Sequence, residues 1–220
     1  MNIAKTIDHT LLKPEATRAD ILKLCAEARE FGFYSVCVNS SWVATAVEAL
    51  EGSDVLVAAV TGFPLGAMES HAKAFETSIA VACGAREIDT VLAVGRLKSG
   101  ELESVLEDLR GVVLAAGSAA VKVIFETCLL TNEEKLVACR LACEAGAAFV
   151  KTSTGFSSGG ATLEDVRLMT AAVAGKCLVK ASGGIRDTAS ALAMLEAGAS
   201  RLGTSNGIAI VQGSPAGQGY

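Results

Sequence analysis

The stretch FVKTSTGFSSGGATLEDVRLMTAAVAGKCLVKA, residues 149–181, decides how the chain folds. It opens on a short β-rich run, 149–153, and passes into a turn of small residues that ends at Gly160. Thr162 then precedes Leu163-Glu164-Asp165, the pattern in which a hydroxyl closes the free N–H groups of a helix start. The amphipathic stretch ends at Val173, and Gly175 supplies the left-handed turn that such a helix needs to stop. A second apolar run, 178–181, follows at once. Strand, helix and strand in this order make a βαβ unit, whose two strands lie parallel.

The alternation continues outward over the whole 220 residues. β-rich runs stand at 6–11, 34–38, 55–60, 87–94, 121–127, 149–153, 178–181 and 201–204. Amphipathic helical stretches stand between them at 15–31, 67–83, 101–116, 132–145, 163–173 and 188–197, with Thr131 as another cap. Gly32, Gly84, Gly117, Gly146 and Gly198 join Gly175 at helix ends. Eight βα units in one chain of this length predict an α/β fold, a (β/α)₈ barrel of one domain over 1–210. A doubly wound open sheet has the same element order and stays the competing architecture. The stretch 211–220, with three glycines and a proline, is expected to be a mobile tail.

Composition narrows the function classes. The chain is 51% hydrophobic and 20% charged, enough to bury a large core. Its net charge is −5 and no basic stretch stands out, which argues against nucleic acid or an anionic membrane as partner. No apolar window is long enough to span a bilayer, and the start lacks the pattern of a signal peptide. Seven cysteines, an odd number with no C-x-x-C pair, read as reduced thiols in a cytoplasmic protein.

Parallel strands covered on both faces normally carry only apolar side chains. Here Asp8, Asp89, Lys122, Glu126, Lys151 and Lys180 interrupt them. A buried ammonium without a partner is costly and tends to lose its proton. The plain reading pairs each lysine with a carboxylate, for example Lys122 with Glu126 or Asp89. Three strand lysines near the strand ends where barrel enzymes do chemistry favour a reactive reading. A lysine attacks a carbonyl only as the neutral amine. Moving its pKa from about 10.4 to about 7 takes on the order of 4–5 kcal/mol. Desolvation and a second cation supply that, so one of Lys151 and Lys180, in either order, reads as a Schiff-base lysine and the other as the neighbour that keeps it deprotonated.

The turns after the last three runs are rich in glycine and hydroxyls, around Gly155, at Ser182-Gly183-Gly184, and at Gly203-Thr204-Ser205. Backbone N–H groups there can approach a phosphate, as the late loops of such barrels often do. No Walker loop or G-x-G-x-x-G fingerprint is present, so no nucleotide cofactor is expected. His9 and His71 lie far apart without ligand spacing, so no metal site is expected either. His9 reads as a hydrogen-bonded structural residue. Cys37 reads as a buried thiol, and Trp42 and Phe63-Pro64 as packing elements.

Six segments resemble deoxyribose-phosphate aldolases: Ile7-Asp-His-Thr-Leu-Leu12, Val60-Thr-Gly-Phe-Pro-Leu-Gly66, Glu87-Ile-Asp89, Lys122-Val-Ile-Phe-Glu-Thr127, Phe149-Val-Lys-Thr-Ser-Thr-Gly155 and Val179-Lys-Ala-Ser-Gly-Gly-Ile-Arg186. The resemblance runs in order from Ile7 to Ile210. It implies a metal-free class I aldolase that reversibly cleaves 2-deoxy-D-ribose 5-phosphate to D-glyceraldehyde 3-phosphate and acetaldehyde. It makes Lys151 the Schiff-base lysine, Lys180 the second lysine and Asp89 the proton-relaying carboxylate. Asp8, Thr10 and Lys122 match residues around the sugar, and Gly155, Gly183, Gly184, Gly203 and Ser205 the phosphate turns. Tyr220 matches a terminal tyrosine that assists proton transfer in some members. The chain departs from the family at Ser40, Ala93 and Asn206, which bears on the range of acceptor aldehydes. A homo-oligomer, dimer or tetramer, is expected. A phosphosugar isomerase or epimerase on the same barrel, and a non-catalytic sugar-phosphate binder, are the alternatives.

Overall fold

The computed structural model describes residues 2–213. Eight parallel strands close on themselves: β1 (Ile7–Leu11), β2 (Ser35–Asn39), β3 (Leu56–Thr61), β4 (Glu87–Val91), β5 (Ala120–Ile124), β6 (Phe149–Lys151), β7 (Leu178–Ser182) and β8 (Arg201–Thr204). β8 pairs with β1 through Ile7–Leu202 and Asp8–Gly203, which decides for a barrel over an open sheet. The helices are α1 (Arg18–Phe31), α2 (Val43–Ala49), α3 (Ser70–Ala82), α4 (Val94–Lys98), α5 (Leu102–Ala116), α6 (Asn132–Glu144), α7 (Leu163–Val173), α8 (Thr188–Glu196) and α9 (Gly207–Gln212).

Local chemistry sets these boundaries. Thr17 and Thr131 each close a capping box, with Asp20 and Glu134 reaching back, so α1 begins three residues later than its apolar pattern suggests. Thr162 caps α7 as expected. The six glycines at helix ends all have positive φ, from 57° at Gly117 to 113° at Gly198. The runs at 87–94 and 121–127 are shorter as strands. Val94 already belongs to α4, and Glu126 sits in the left-handed region with φ 54°. Helices α2, α4 and α9 escape sequence reading because none exceeds two turns and none shows an apolar stripe.

Period-2 alternation sorts each strand into two faces. Val36, Val38, Val57, Ile88, Val123, Val150, Val179 and Leu202 face outward, into the apolar layer between sheet and helices. His9 also faces outward, where its Nε2 meets Glu27 Oε2 of α1 at 2.8 Å and its ring lies 4.9 Å from Phe33. That is the structural role read for it. The inward positions divide in two. Leu12, Cys37, Ala58 and Val60 form a small apolar cluster on one side. The other side, from β4 round to β1, carries the charges.

Candidate active site

Register places those charges opposite one another. Lys151 and Lys180 are direct partners on β6 and β7, Asp89 and Lys122 on β4 and β5, and Lys180 and Arg201 on β7 and β8. Asp89 stands at the centre. Its Oδ2 accepts from Lys151 Nζ at 2.8 Å and from Lys180 Nζ at 2.7 Å, and its Oδ1 accepts from Lys122 Nζ at 2.7 Å. Asp8 Oδ2 accepts from Lys180 at 2.5 Å, and its Oδ1 accepts from Ser35 Oγ at 2.7 Å and Arg201 Nη1 at 2.9 Å. Glu87 Oε2 closes the circuit, 2.6 Å from Lys122 and 3.0 Å from Arg201. The Arg201 guanidinium also stacks over the Tyr34 ring at 3.4 Å.

Fully ionised, this network would hold four cations (Lys122, Lys151, Lys180, Arg201) against three carboxylates (Asp8, Glu87, Asp89). Buried charge without a counter-charge is disfavoured, so one amine is the natural candidate to give up its proton. Of the three lysines only Lys151 is shifted in that direction. Burial lowers its pKa below the ordinary lysine value, Lys180 lowers it further, and Asp89 opposes both without prevailing. Burial acts on Lys180 in the same sense, but Asp8 and Asp89 outweigh it and hold Lys180 above the ordinary value. Lys122 is held up in the same way, chiefly by Asp89. Burial tends to raise Asp8 and Asp89, yet the surrounding cations hold both well below the carboxylate range. Cys37, on the apolar side, is pushed up to about 11 by burial and then by Asp89, so it is an inert thiol.

Of the three network lysines, Lys151 is also the one that keeps some exposure. It lines a cleft at the C-terminal ends of β6, β7, β8 and β1 together with Thr10, Thr154 and Ser182. Gly155, Gly183, Gly184, Gly203, Ser205, Asn206 and Arg186 form the outer wall of the same cleft. Gly183 and Gly184 both have positive φ, 86° and 79°, a backbone turn whose successive N–H groups form a concavity for an anion. A wider cleft beside it, lined by His9, Lys13, Glu15, Lys23 and Glu27, shares Ser205 and Asn206 but reaches none of the charged network.

The structure thus gathers Lys151, Thr10, Gly155, Gly183, Gly184, Gly203 and Ser205 around one cleft. Asp89, Lys180, Asp8 and Lys122 lie together in the floor beneath Lys151, fully buried. Asp8 and Lys122 therefore lie beneath the cleft and are not part of its lining. Tyr220 lies outside the described residues. Lys122 does not pair with Glu126. The strand ends at Ile124, and Glu126 turns away to accept hydrogen bonds from the hydroxyl and N–H of Thr154. Sequence reading missed Arg186, Arg201 and Glu87 as parts of the site. The signal for the last two was present, since both are charges inside strand runs. Among the described residues no three histidine, cysteine or acidic side chains converge as a metal-ligand set. No described helix is long and apolar enough to cross a membrane.

Known proteins place this geometry. The profile of the DeoC/LacD family aldolases matches residues 2–213. A deoxyribose-phosphate aldolase of Brevibacillus brevis is 60% identical over 221 residues, covering 100% of both chains. Among solved structures, the aldolase QR15 superposes with a TM-score of 0.92 at 43% identity, covering 96% of this chain and 94% of that one. The tetrameric deoxyribose phosphate aldolase of Aeropyrum pernix superposes with a TM-score of 0.89 at 33% identity, covering 96% and 89%.

Proposed function

The chain belongs to the DeoC/LacD family of aldolases, and on that premise we propose that it reversibly cleaves 2-deoxy-D-ribose 5-phosphate through a Schiff base on Lys151. One observation carries the assignment of the lysine. The amine that the network pushes toward neutrality is also the one that lines the cleft.

The cycle follows from that arrangement. Neutral Lys151 Nζ attacks the C1 carbonyl of the open-chain sugar, and the carbinolamine loses water to give a protonated imine. The imine is an electron sink, so the C2–C3 bond breaks as the C3 hydroxyl loses its proton. D-glyceraldehyde 3-phosphate leaves, and an enamine stays on Lys151. Protonation at C2 and hydrolysis release acetaldehyde and restore the amine. Asp89 is the proton acceptor nearest Nζ, at 2.8 Å. While Lys151 is neutral, one of the three cations that depress Asp89 is gone, which makes its carboxylate a better base than the charged network allows. Lys180, held protonated, keeps the field that favours a neutral Lys151. The substrate phosphate sits on the Gly183–Gly184 turn and the N–H and hydroxyl groups of Gly155 and Ser205, with Arg186 at the rim.

The site residues in their present form need no metal ligand for these steps. The thiols of the seven cysteines are free, which fits a cytoplasmic enzyme. Because the Aeropyrum pernix relative is a tetramer, we infer that this chain also assembles with copies of itself, which sedimentation would read.

The test is reductive trapping. Acetaldehyde with borohydride should add one two-carbon group, and peptide mass spectrometry should place it on Lys151. An isomerase or a binding module on the same barrel would leave Lys151 unmodified, and so sink this reading.

A further inference from the structure

Far from the cleft, two thiols are in unusually close contact. Cys143, at the C-terminal end of α6, and Cys177, immediately before β7, have their sulfurs 2.7 Å apart. A disulfide bond is about 2.05 Å long, so the pair needs only a small approach to bond. Because barrel helices run antiparallel to the strands, this contact lies at the N-terminal face, opposite the cleft. Cys177 is 5% exposed and its thiol also donates to Ala147 O at 3.2 Å, whereas Cys143 is half-buried.

We propose that Cys143 and Cys177 are a reversible thiol–disulfide couple, oxidised by small-molecule disulfides. Cys143, the more accessible sulfur, attacks the small disulfide as its thiolate and releases one thiol, leaving a mixed disulfide. Cys177 then attacks the Cys143 sulfur, its proton leaves with the departing thiolate, and the second small thiol is released. Two protein thiols lose two electrons and two protons, and the small disulfide gains both. The new bond closes a loop from 143 to 177 that contains all of β6 and α7, and so fastens the strand that bears Lys151. Burial pushes the Cys177 thiol up, which leaves the first attack to Cys143. Cys139 is the competitor, one helical turn before Cys143 in α6.

Glutathione disulfide on the native full chain tests this. Of the seven thiols in the sequence two should be lost to a disulfide, over and above any glutathione carried by the exposed Cys83 and Cys128. A peptide pair linking Cys143 to Cys177 should appear, and dithiothreitol should restore all seven. Cys139→Ser should leave the link intact, and Cys177→Ser should stop at one glutathione held on Cys143. The oxidised chain should melt roughly 5–10 °C higher. Seven thiols surviving the oxidant, a Cys139–Cys143 link, or glutathione retained on Cys143 of the unsubstituted chain would each overturn the proposal.

Discussion

Lys151 and Lys180 donate to the same carboxylate oxygen, Asp89 Oδ2, at 2.8 and 2.7 Å. They are nevertheless driven in opposite directions. Lys180 also donates to a second carboxylate, Asp8, and Lys151 to none. The difference between a permanent cation and a reactive amine is therefore one extra buried carboxylate, supplied by β1.

Lys180→Met should slow the enzyme at neutral pH rather than abolish it. Without Lys180, the pull of Asp89 on Lys151 is opposed by burial alone, and the Lys151 pKa rises. A higher Lys151 pKa leaves less of the neutral amine at pH 7, and the rate there falls with it. Activity should recover as the pH is raised, and a pH–rate profile reads this directly. Asp8 loses one of its cations but keeps Arg201 and Ser35, so stability in urea unfolding should fall without the barrel failing to fold. An unshifted acid limb would exclude the electrostatic role.

Gly203→Ala should impair turnover without altering any polar group. A Cβ there would lie 2.3 Å from Ser182 Oγ and 3.0 Å from Lys180 Cε, so the methyl displaces the side chain that tunes Lys151. We expect kcat to fall at least ten-fold, because sub-ångström displacement of catalytic groups is expensive. Gly184→Ala is the contrast. Nothing lies within 4 Å of its Cβ, although its φ of 79° strains any side chain, so it should weaken phosphate binding more than kcat.

Arg186→Ala should discriminate between phosphorylated and unphosphorylated substrates. Its side chain is exposed at the rim of the cleft, beside the glycine turn. Loss of a charge-assisted contact of about 1.5–3 kcal/mol predicts a KM for the sugar phosphate raised roughly ten-fold or more. The KM for 2-deoxyribose itself should stay unchanged. Equal effects on both substrates would place the phosphate elsewhere.

Acid should destabilise the barrel steeply. The pKa values of Asp8 and Asp89 are lowered on folding, so the unfolded chain binds more protons below about pH 4. Their contribution is present in full above the unfolded carboxylate value and is lost as pH falls through the folded one. Lys180 behaves oppositely at the other end. With its folded pKa raised, its contribution holds below the unfolded lysine value and fades as pH rises above it. Melting temperatures measured from pH 3 to 11 should therefore drop at both extremes, and a flat acid limb would contradict the buried carboxylate network.

The element order, the helix caps at Thr131 and Thr162 and the lysines on neighbouring strands were legible because each depends on residues close together in the chain. Periodicity, capping and left-handed glycines act over a few residues, and pairing of successive parallel strands puts 151 and 180 on adjacent strands. The positions of Thr10, Gly155, Gly183 and Ser205 at one mouth followed from the same logic. Closure of the sheet, the turn at Glu126 that frees Lys122 for Asp89, and the sharing of Asp8 between Lys180 and Arg201 did not follow. Asp8 and Lys180 are 172 residues apart and meet only because β8 returns to β1. Which lysine keeps its proton is a sum over charges brought together from six strands in a dry interior, and no local pattern contains that sum.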